Sequence, residues 1–152
     1  MRRSSTTFCA ADASFMDEAL ARLTREWLTK AAHDLQNARI VGAVPDGPLD
    51  TAIYHCQQAA EKAVKGWLTT EGVALERTHD LRRLIRQAAG LAPDFIQFAG
   101  PAEMLTPYVS AFRYPGLTDE PMPSREEFDE ALQHAQVIYD FVVNLLPVDA
   151  RP

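Results

Sequence analysis

Cysteine is scarce in this chain of 152 residues, and long apolar segments are absent. The two cysteines, Cys9 and Cys56, are too few for a disulfide framework, and neither has the Cys-x-x-Cys or Cys/His spacing of a zinc site. No run of about 18 apolar residues is present, which argues against a membrane-spanning helix. Met1-Arg2-Arg3 is not followed by the apolar segment of a signal peptide. These absences predict a cytoplasmic protein that does not associate with membranes.

The motifs of common cofactor and metal sites are also missing. The chain has no P-loop, no glycine-rich dinucleotide loop and no His-Glu-x-x-His pair. A carboxylate-bridged di-iron bundle needs two Glu-x-x-His pairs on facing helices. The sequence offers one, Glu76 to His79, and it spans a predicted turn. We therefore expect no metal and no cofactor.

Positive charge is in deficit, because 15 Lys and Arg face 21 Asp and Glu, for a net charge of −6. Sequence-independent binding to duplex DNA depends on neutralising phosphates, so it is not expected here. Apolar residues make up 47% of the chain, which is typical of a globular protein. The length corresponds to one domain with its own core.

Three long segments show apolar residues at helical spacing: Met16 to Ala38, Leu49 to Leu68, and Phe128 to Leu145. Ser124 and Glu127 form a capping box before the last one, and Gly72 is placed to end the second. No segment alternates as a strand does. We predict an all-α protein with a flexible tail over 1–12, a single domain over 13–147 and a C-terminal tail over 148–152.

The region between these long helices is predicted to be more broken. Thr78 is a candidate N-cap for a short helix that ends near Gly90. Pro101 and Pro107 predict a kinked or two-part helix before a loop that starts at Tyr114. Three long helices and these short ones, joined mostly by short connections, predict an up-and-down antiparallel bundle of about five helices.

Several phrases occur together in a fixed order. They are Ala52-Ile53-Tyr54-His55-Cys56-Gln57-Gln58-Ala59-Ala60-Glu61-Lys62-Ala63-Val64-Lys65, then Thr78-His79-Asp80-Leu81, Leu105-Thr106-Pro107-Tyr108 and Arg113-Tyr114-Pro115. With Ala32-His33-Asp34-Leu35 in the first helix, this set resembles the HEPN domain family (higher eukaryotes and prokaryotes nucleotide-binding) over about residues 25–146. The resemblance implies a bundle of about five helices that is often a homodimer. It also implies nucleotide or RNA binding, and partnership with a minimal nucleotidyltransferase in a toxin–antitoxin-type pair.

One large branch of that family cleaves RNA without a metal and carries an Arg-x4-6-His motif. The nearest arginine before each histidine leaves seven, fifteen, one and eight intervening residues, for Arg25–His33, Arg39–His55, Arg77–His79 and Arg125–His134. The chain thus resembles the branch without this motif, and we assign no catalytic residue. A ribonuclease whose site is rearranged to use Arg113 and His79 remains the enzymatic alternative.

Eight polar residues are the candidate lining of a nucleotide-binding groove: Tyr54, Gln57, Glu61, Lys65, His79, Asp80, Arg113 and Tyr114. In this hypothesis Lys65 and Arg113 neutralise phosphate and Tyr114 covers the base. Each residue type also has a structural interpretation. His79 and Asp80 could cap a helix, Arg113 could form a salt bridge to Glu61 or Asp80, and Tyr114 could close the core.

The second-helix residues among these candidates could equally form a solvated face with a Glu61–Lys65 pair. His55, one step from the apolar stripe, is interpreted as a core or boundary histidine. The favoured function is a non-catalytic nucleotide- or RNA-binding module that dimerises and partners a nucleotidyltransferase. A purely structural dimerisation protein, in which the polar cluster holds the helices in register, is the other alternative.

Overall fold

A computed structural model describes the backbone of residues 10–152 and the side chains from Glu18 onward. Within this part of the chain there are five α-helices, three 3₁₀ helices and no strand. The α-helices are α1 (Ala10–Ala43), α2 (Leu49–Thr70), α3 (Leu81–Leu91), α4 (Ala99–Leu105) and α5 (Arg125–Leu145). The prediction of an all-α helical bundle is confirmed. None of these helices is sufficiently long and apolar to span a bilayer.

Helix α2 lies at the centre of the bundle. It packs against α1 and α5 along most of its length and also contacts α3. Fifteen of its 22 residues are buried. Gly66 lets α1 approach closely, because a Cβ atom at this position would lie 2.3 Å from Cδ2 of the buried Leu28. The stripe over Leu49 to Leu68 therefore faces a core on more than one side, which is why so few of its residues are exposed.

The end of α2 and the start of α5 have the capping residues that the sequence predicts. Gly72 has φ +71 and ends α2 in a Schellman motif, in which Val73 N–H donates to Leu68 and Gly72 N–H donates to Thr69. The capping box at the start of α5 is present, with reciprocal hydrogen bonds between Ser124 and Glu127. Local sequence signals are thus sufficient to place these two boundaries.

Helix α3 begins later than predicted. Its N-cap is Asp80, whose Oδ1 accepts from Arg82 N–H at 3.0 Å. The predicted cap, Thr78, instead accepts from Asp80 N–H at 3.1 Å and so orders the turn before the helix. The prediction of Thr78 is wrong because a carboxylate two residues further along the chain reaches the free N–H groups of the first turn.

The proline-containing region is broken, as predicted, and forms three short pieces. These are the 3₁₀ helix Pro93–Phe98, α4, and the 3₁₀ helix Thr106–Val109. Phe95 in the first piece is fully buried, and its ring centroid lies 4.6 Å from that of Trp67 and 5.1 Å from that of Phe141. This aromatic cluster anchors the irregular segment to α2 and α5.

The structure describes part of the first predicted tail and all of the second. Residues 1–9 of the predicted tail over 1–12 lie outside the described residues, and residues 10–12 belong to α1. The predicted C-terminal tail, 148–152, contains the 3₁₀ helix Val148–Ala150. Ala150 is buried, and Arg151 Nε donates to the carbonyl of Leu146 at 2.9 Å. This segment packs against α1 because it supplies a small apolar residue and backbone acceptors.

Candidate functional site

The polar residues of α2 form a row along one face of the helix. Gln57, Glu61 and Lys65 lie at i, i+4 and i+8, with Tyr54 one turn earlier. We call the first three residues the polar row. Their exposed fractions are 0%, 3% and 8%, so the polar row is neither an open groove nor a solvated face. Other helices cover the face that carries these three residues, so they have little contact with solvent.

Glu61 is the centre of the polar row. Lys65 Nζ donates to its Oε1 at 2.7 Å, and Gln57 Nε2 donates to its Oε2 at 3.0 Å. Gln58 Nε2 donates to the same Oε2 at 3.3 Å. Burial by itself would raise the pKa of Glu61, but the hydrogen bonds from Lys65 and Gln57 and the charge of Lys65 outweigh it and lower the pKa. The carboxylate is therefore ionised, and both of its oxygens accept hydrogen bonds.

His79 connects this buried carboxylate to solvent. Its Nδ1 lies 3.0 Å from Glu61 Oε1, and its side chain is 70% exposed. An ionised carboxylate can only accept, so Nδ1 carries the proton and Nε2 remains available to another molecule. Gln57 Nε2 also donates to the carbonyl of His79 at 3.2 Å. The imidazole is thus held in one orientation just before α3 begins.

Asp80 does not join this network. Its carboxylate caps α3 and forms an ion pair with Arg82, with Arg82 Nη2 donating to Oδ2 at 2.9 Å. The hydrogen bond from Arg82 is the main reason why the pKa of Asp80 is lowered. Asp80 thus caps a helix, which is the structural interpretation that the sequence analysis gives for this residue.

Arg113 and Tyr114 lie beside Tyr54 at the other end of the same α2 face. The Arg113 guanidinium carbon is 5.3 Å from the centroid of the Tyr54 ring and 5.6 Å from that of Tyr114. Among the described residues, Arg113 forms no salt bridge to Glu61, Asp80 or any other carboxylate. Tyr114 is 56% exposed and does not close the core. The two residues line a cavity of about 520 Å³, with Asp50, Asp119 and Glu120 also in its wall.

The candidate residues therefore form two groups along one side of α2. Tyr54, which contacts Arg113, and Glu61, which contacts His79, are seven residues apart and share a helix face. Seven residues correspond to roughly 10 Å along a helix. The exposed imidazole and the exposed guanidinium therefore contact the same side of α2 at points two helical turns apart.

A second buried carboxylate lies between α1 and α2, and sequence reasoning missed its role. Asp34 is 6% exposed, His55 Nδ1 lies 2.7 Å from its Oδ1, and Lys62 Nζ donates to its other oxygen. His55 is the boundary histidine that was expected, now with its partner identified. The spacing of His55 and Lys62, two turns apart on α2, was the available signal. Within the described side chains, no three His, Cys, Asp or Glu residues are grouped as metal ligands.

Comparison with known proteins gives a consistent result. The HEPN domain family matches residues 24–146. The crystal structure of TT1696 from Thermus thermophilus is 31% identical and superposes with a TM-score of 0.70, covering 81% of this chain and 98% of that chain. ST0689, an archaeal HEPN homologue, is 28% identical with a TM-score of 0.63, covering 78% and 93%. No curated protein matches significantly.

Proposed function

Since the chain belongs to the HEPN domain family, we propose that it is a non-catalytic module that binds a nucleotide or an RNA end. The observation that carries this proposal is the pair of exposed side chains, one imidazole and one guanidinium, on one side of α2. His79 is oriented there by Glu61, and Arg113 is held between two tyrosine rings. Contacts within the protein hold both side chains in place, so these side chains lose little conformational entropy when a phosphorylated ligand binds.

The ligand would lie across the surface between these two side chains. Arg113 suits a phosphate because its planar guanidinium can donate two parallel hydrogen bonds. The exposed ring of Tyr114 offers a stacking surface for a base. Lys65, which was expected to neutralise phosphate, is instead committed to Glu61. The charge of the ligand's phosphate is therefore neutralised by Arg113, and His79 Nε2 accepts a hydrogen bond from the ligand.

The second part of the proposal concerns the proteins with which this chain assembles. HEPN domains are commonly encoded beside a minimal nucleotidyltransferase and often form homodimers. We propose that this chain, as a homodimer, partners such an enzyme in a toxin–antitoxin-type pair. A neighbouring reading frame that encodes a nucleotidyltransferase with paired carboxylates for Mg²⁺ would support the partnership.

Replacing Arg113 with alanine is expected to abolish stabilisation by ATP. At a hundredfold excess of ATP over its dissociation constant, mass action adds about 2.7 kcal/mol of stability, or roughly 5–10 °C in Tm for a chain of this size. A thermal-shift titration of the full chain measures the effect. Arg86→Ala is the matched control, because it removes the same charge from an exposed position on α3. No ATP-dependent shift in the unaltered chain would contradict nucleotide binding.

A metal-independent ribonuclease is the second candidate, and the His79–Glu61 contact favours it. A carboxylate that holds Nδ1 leaves Nε2 able to exchange a proton with substrate, as general acid–base catalysis requires. If this candidate is correct, the chain degrades single-stranded RNA in the presence of EDTA, and His79→Ala abolishes the cleavage. His134→Ala is the control, because this histidine lies on α5 beside Glu130 and away from the polar row. RNA that stays intact with the unaltered chain would exclude the enzyme and support the non-catalytic module.

A further inference from the structure

The outer face of α1, opposite the side that enters the core, carries a row of basic side chains. Arg22, Arg25, Lys30 and His33 lie within three helical turns and line a cleft of about 570 Å³. We call these four residues the α1 basic face. Glu26 is the one acidic side chain among the described residues that line the cleft. On the opposite side of the helix, Leu28, Ala31 and Leu35 enter the core.

Among the described side chains, the arginines and the lysine of the α1 basic face form no ion pair with a carboxylate, although Glu26 lies in the same cleft. No ion pair involves Arg22, Arg25 or Lys30 within the part of the chain whose side chains are described. Arg25 donates to the backbone carbonyl of Asp149, a neutral acceptor that fixes the guanidinium and leaves its charge in place. This segment is thus cationic in a chain whose net charge is −6.

Helix α3 shows what a merely structural arginine cluster looks like in the same protein. Arg82 pairs with Asp80 and Glu103, and Arg83 pairs with Glu76 at 2.8 Å. Two of the three arginines of α3 are therefore neutralised locally, and the third, Arg86, forms no ion pair with a described side chain. Along the described part of α1, by contrast, none of Arg22, Arg25 and Lys30 has an ion-pair partner, so three unpaired cations lie on one helix.

We propose that the α1 basic face binds the phosphodiester backbone of single-stranded RNA. Residues 22 to 33 span roughly 16 Å of helix, enough to reach successive phosphates of an extended strand. Arginine is suited to phosphate because of its forked donors. No Phe, Tyr or Trp lines the cleft among the described residues, so contacts with the phosphodiester backbone are the main interactions that hold the strand. Cations repeated at every turn match a regularly repeated anion, whereas an acidic peptide would need a particular sequence.

This proposal rests on the proposed function, because it assigns RNA as the ligand. Its site is separate from His79 and Arg113, the side chains beside α2. Trp27, which lies 5.9 Å from Lys65 Nζ, marks the side of α1 that faces α2. Arg22, Arg25 and His33 lie on the other side of the helix, and Lys30 lies at the edge between the two sides, roughly 60° from Trp27 around the axis. None of the contacts of His79 and Arg113 described above involves any of these four residues. Variants on the α1 basic face therefore leave His79, Arg113 and their neighbours unchanged.

The test is the salt dependence of RNA binding by the full chain. Fluorescence anisotropy with a labelled oligouridine of about 12 nucleotides is measured between roughly 50 and 200 mM KCl. Each lost phosphate contact lowers the slope of log K against log salt by about 0.7 for single strands. Arg22→Gln/Lys30→Gln should therefore reduce the slope by about 1.4. Arg83→Gln/Arg86→Gln makes the same change in net charge on α3 and should leave the slope unaltered.

Three outcomes would overturn the proposal: no binding of oligouridine, equal slope changes in the two double variants, or equally strong competition by polyglutamate at the same charge concentration. The stabilisation by ATP separates this proposal from the nucleotide site beside α2. Arg22→Gln/Lys30→Gln should retain the full thermal shift with ATP. The unaltered chain could bind oligouridine with the expected salt dependence and yet show no change in Tm with ATP. That result would contradict the nucleotide site beside α2 and support RNA binding by the α1 basic face.

Discussion

Glu61→Ala is expected to lower the free energy of unfolding by about 3–5 kcal/mol, because it leaves the buried ammonium group of Lys65 without its counter-charge. Lys65 is 8% exposed and donates to Glu61 at 2.7 Å. The side chains of Gln57 and His79 would lose an acceptor at the same time. Urea unfolding followed by circular dichroism measures the change.

Glu76→Ala is the matched control for this prediction. Glu76 also pairs with an arginine, Arg83, at 2.8 Å, but both side chains are about half exposed. Exposed pairs contribute about 0–1 kcal/mol, so the control should change stability little. Glu61→Leu combined with Lys65→Met replaces the pair by apolar groups of similar volume and should cost less than Glu61→Ala alone. Equal losses in Glu61→Ala and Glu76→Ala would contradict the central role of the Glu61 carboxylate.

The dependence of folding stability on pH provides a second test of the Glu61 carboxylate. The folded protein lowers the pKa of Glu61 from its ordinary value of 4.5, so it binds this proton less readily than the unfolded chain does. The resulting stabilisation is present above the ordinary pKa and is lost as the pH falls through the lower folded pKa. Glu61→Gln should therefore show a shallower decline in stability below about pH 4.5. An unchanged acid profile would contradict the lowered pKa.

Phe95→Ala is expected to cost about 3–5 kcal/mol, the usual range for a fully buried phenylalanine. The ring makes edge contacts with Phe98 and Phe141 and packs against Trp67. Truncation would create a cavity between the 3₁₀ helix Pro93–Phe98, α2 and α5. Differential scanning calorimetry and urea unfolding both report the loss.

Ile96→Ala provides the control for that cavity. Ile96 is the next residue along the chain and is 62% exposed, so its truncation should change stability by no more than about 0.5 kcal/mol. Similar losses in the two variants would mean that the segment tolerates no change at all, and that the aromatic cluster is not the specific anchor.

Much of the fold could be predicted because its signals are local. The apolar stripe of α2, the glycine after it and the capping box before α5 each depend on residues a few positions apart. The Glu61–Lys65 pair is equally local, since the two residues are one turn apart. HEPN membership could be predicted from short phrases in a fixed order.

The rest of the site depends on contacts between distant residues. Spacing along α2 shows that Gln57, Glu61 and Lys65 share a face, but their burial requires knowing which helices cover it. Arg113 contacts Tyr54 across 59 positions, and no pattern in the sequence links the two. Asp34 meets His55 and Lys62 because Gly66 allows α1 to approach α2 closely. The start of α3 was misplaced for a different reason, namely that Thr78 and Asp80 are both good N-cap residues.

The burial of α2 on nearly all sides limits where this protein can acquire new specificity. A substitution in the polar row that altered ligand choice would also weaken the bundle, so selection would remove most such variants before they could be tried. Exposed positions outside α2, such as Arg113, Tyr114 and the loop that follows them, carry no such penalty. Homologues that recognise different ligands are therefore expected to diverge in that loop while they retain the same central helix.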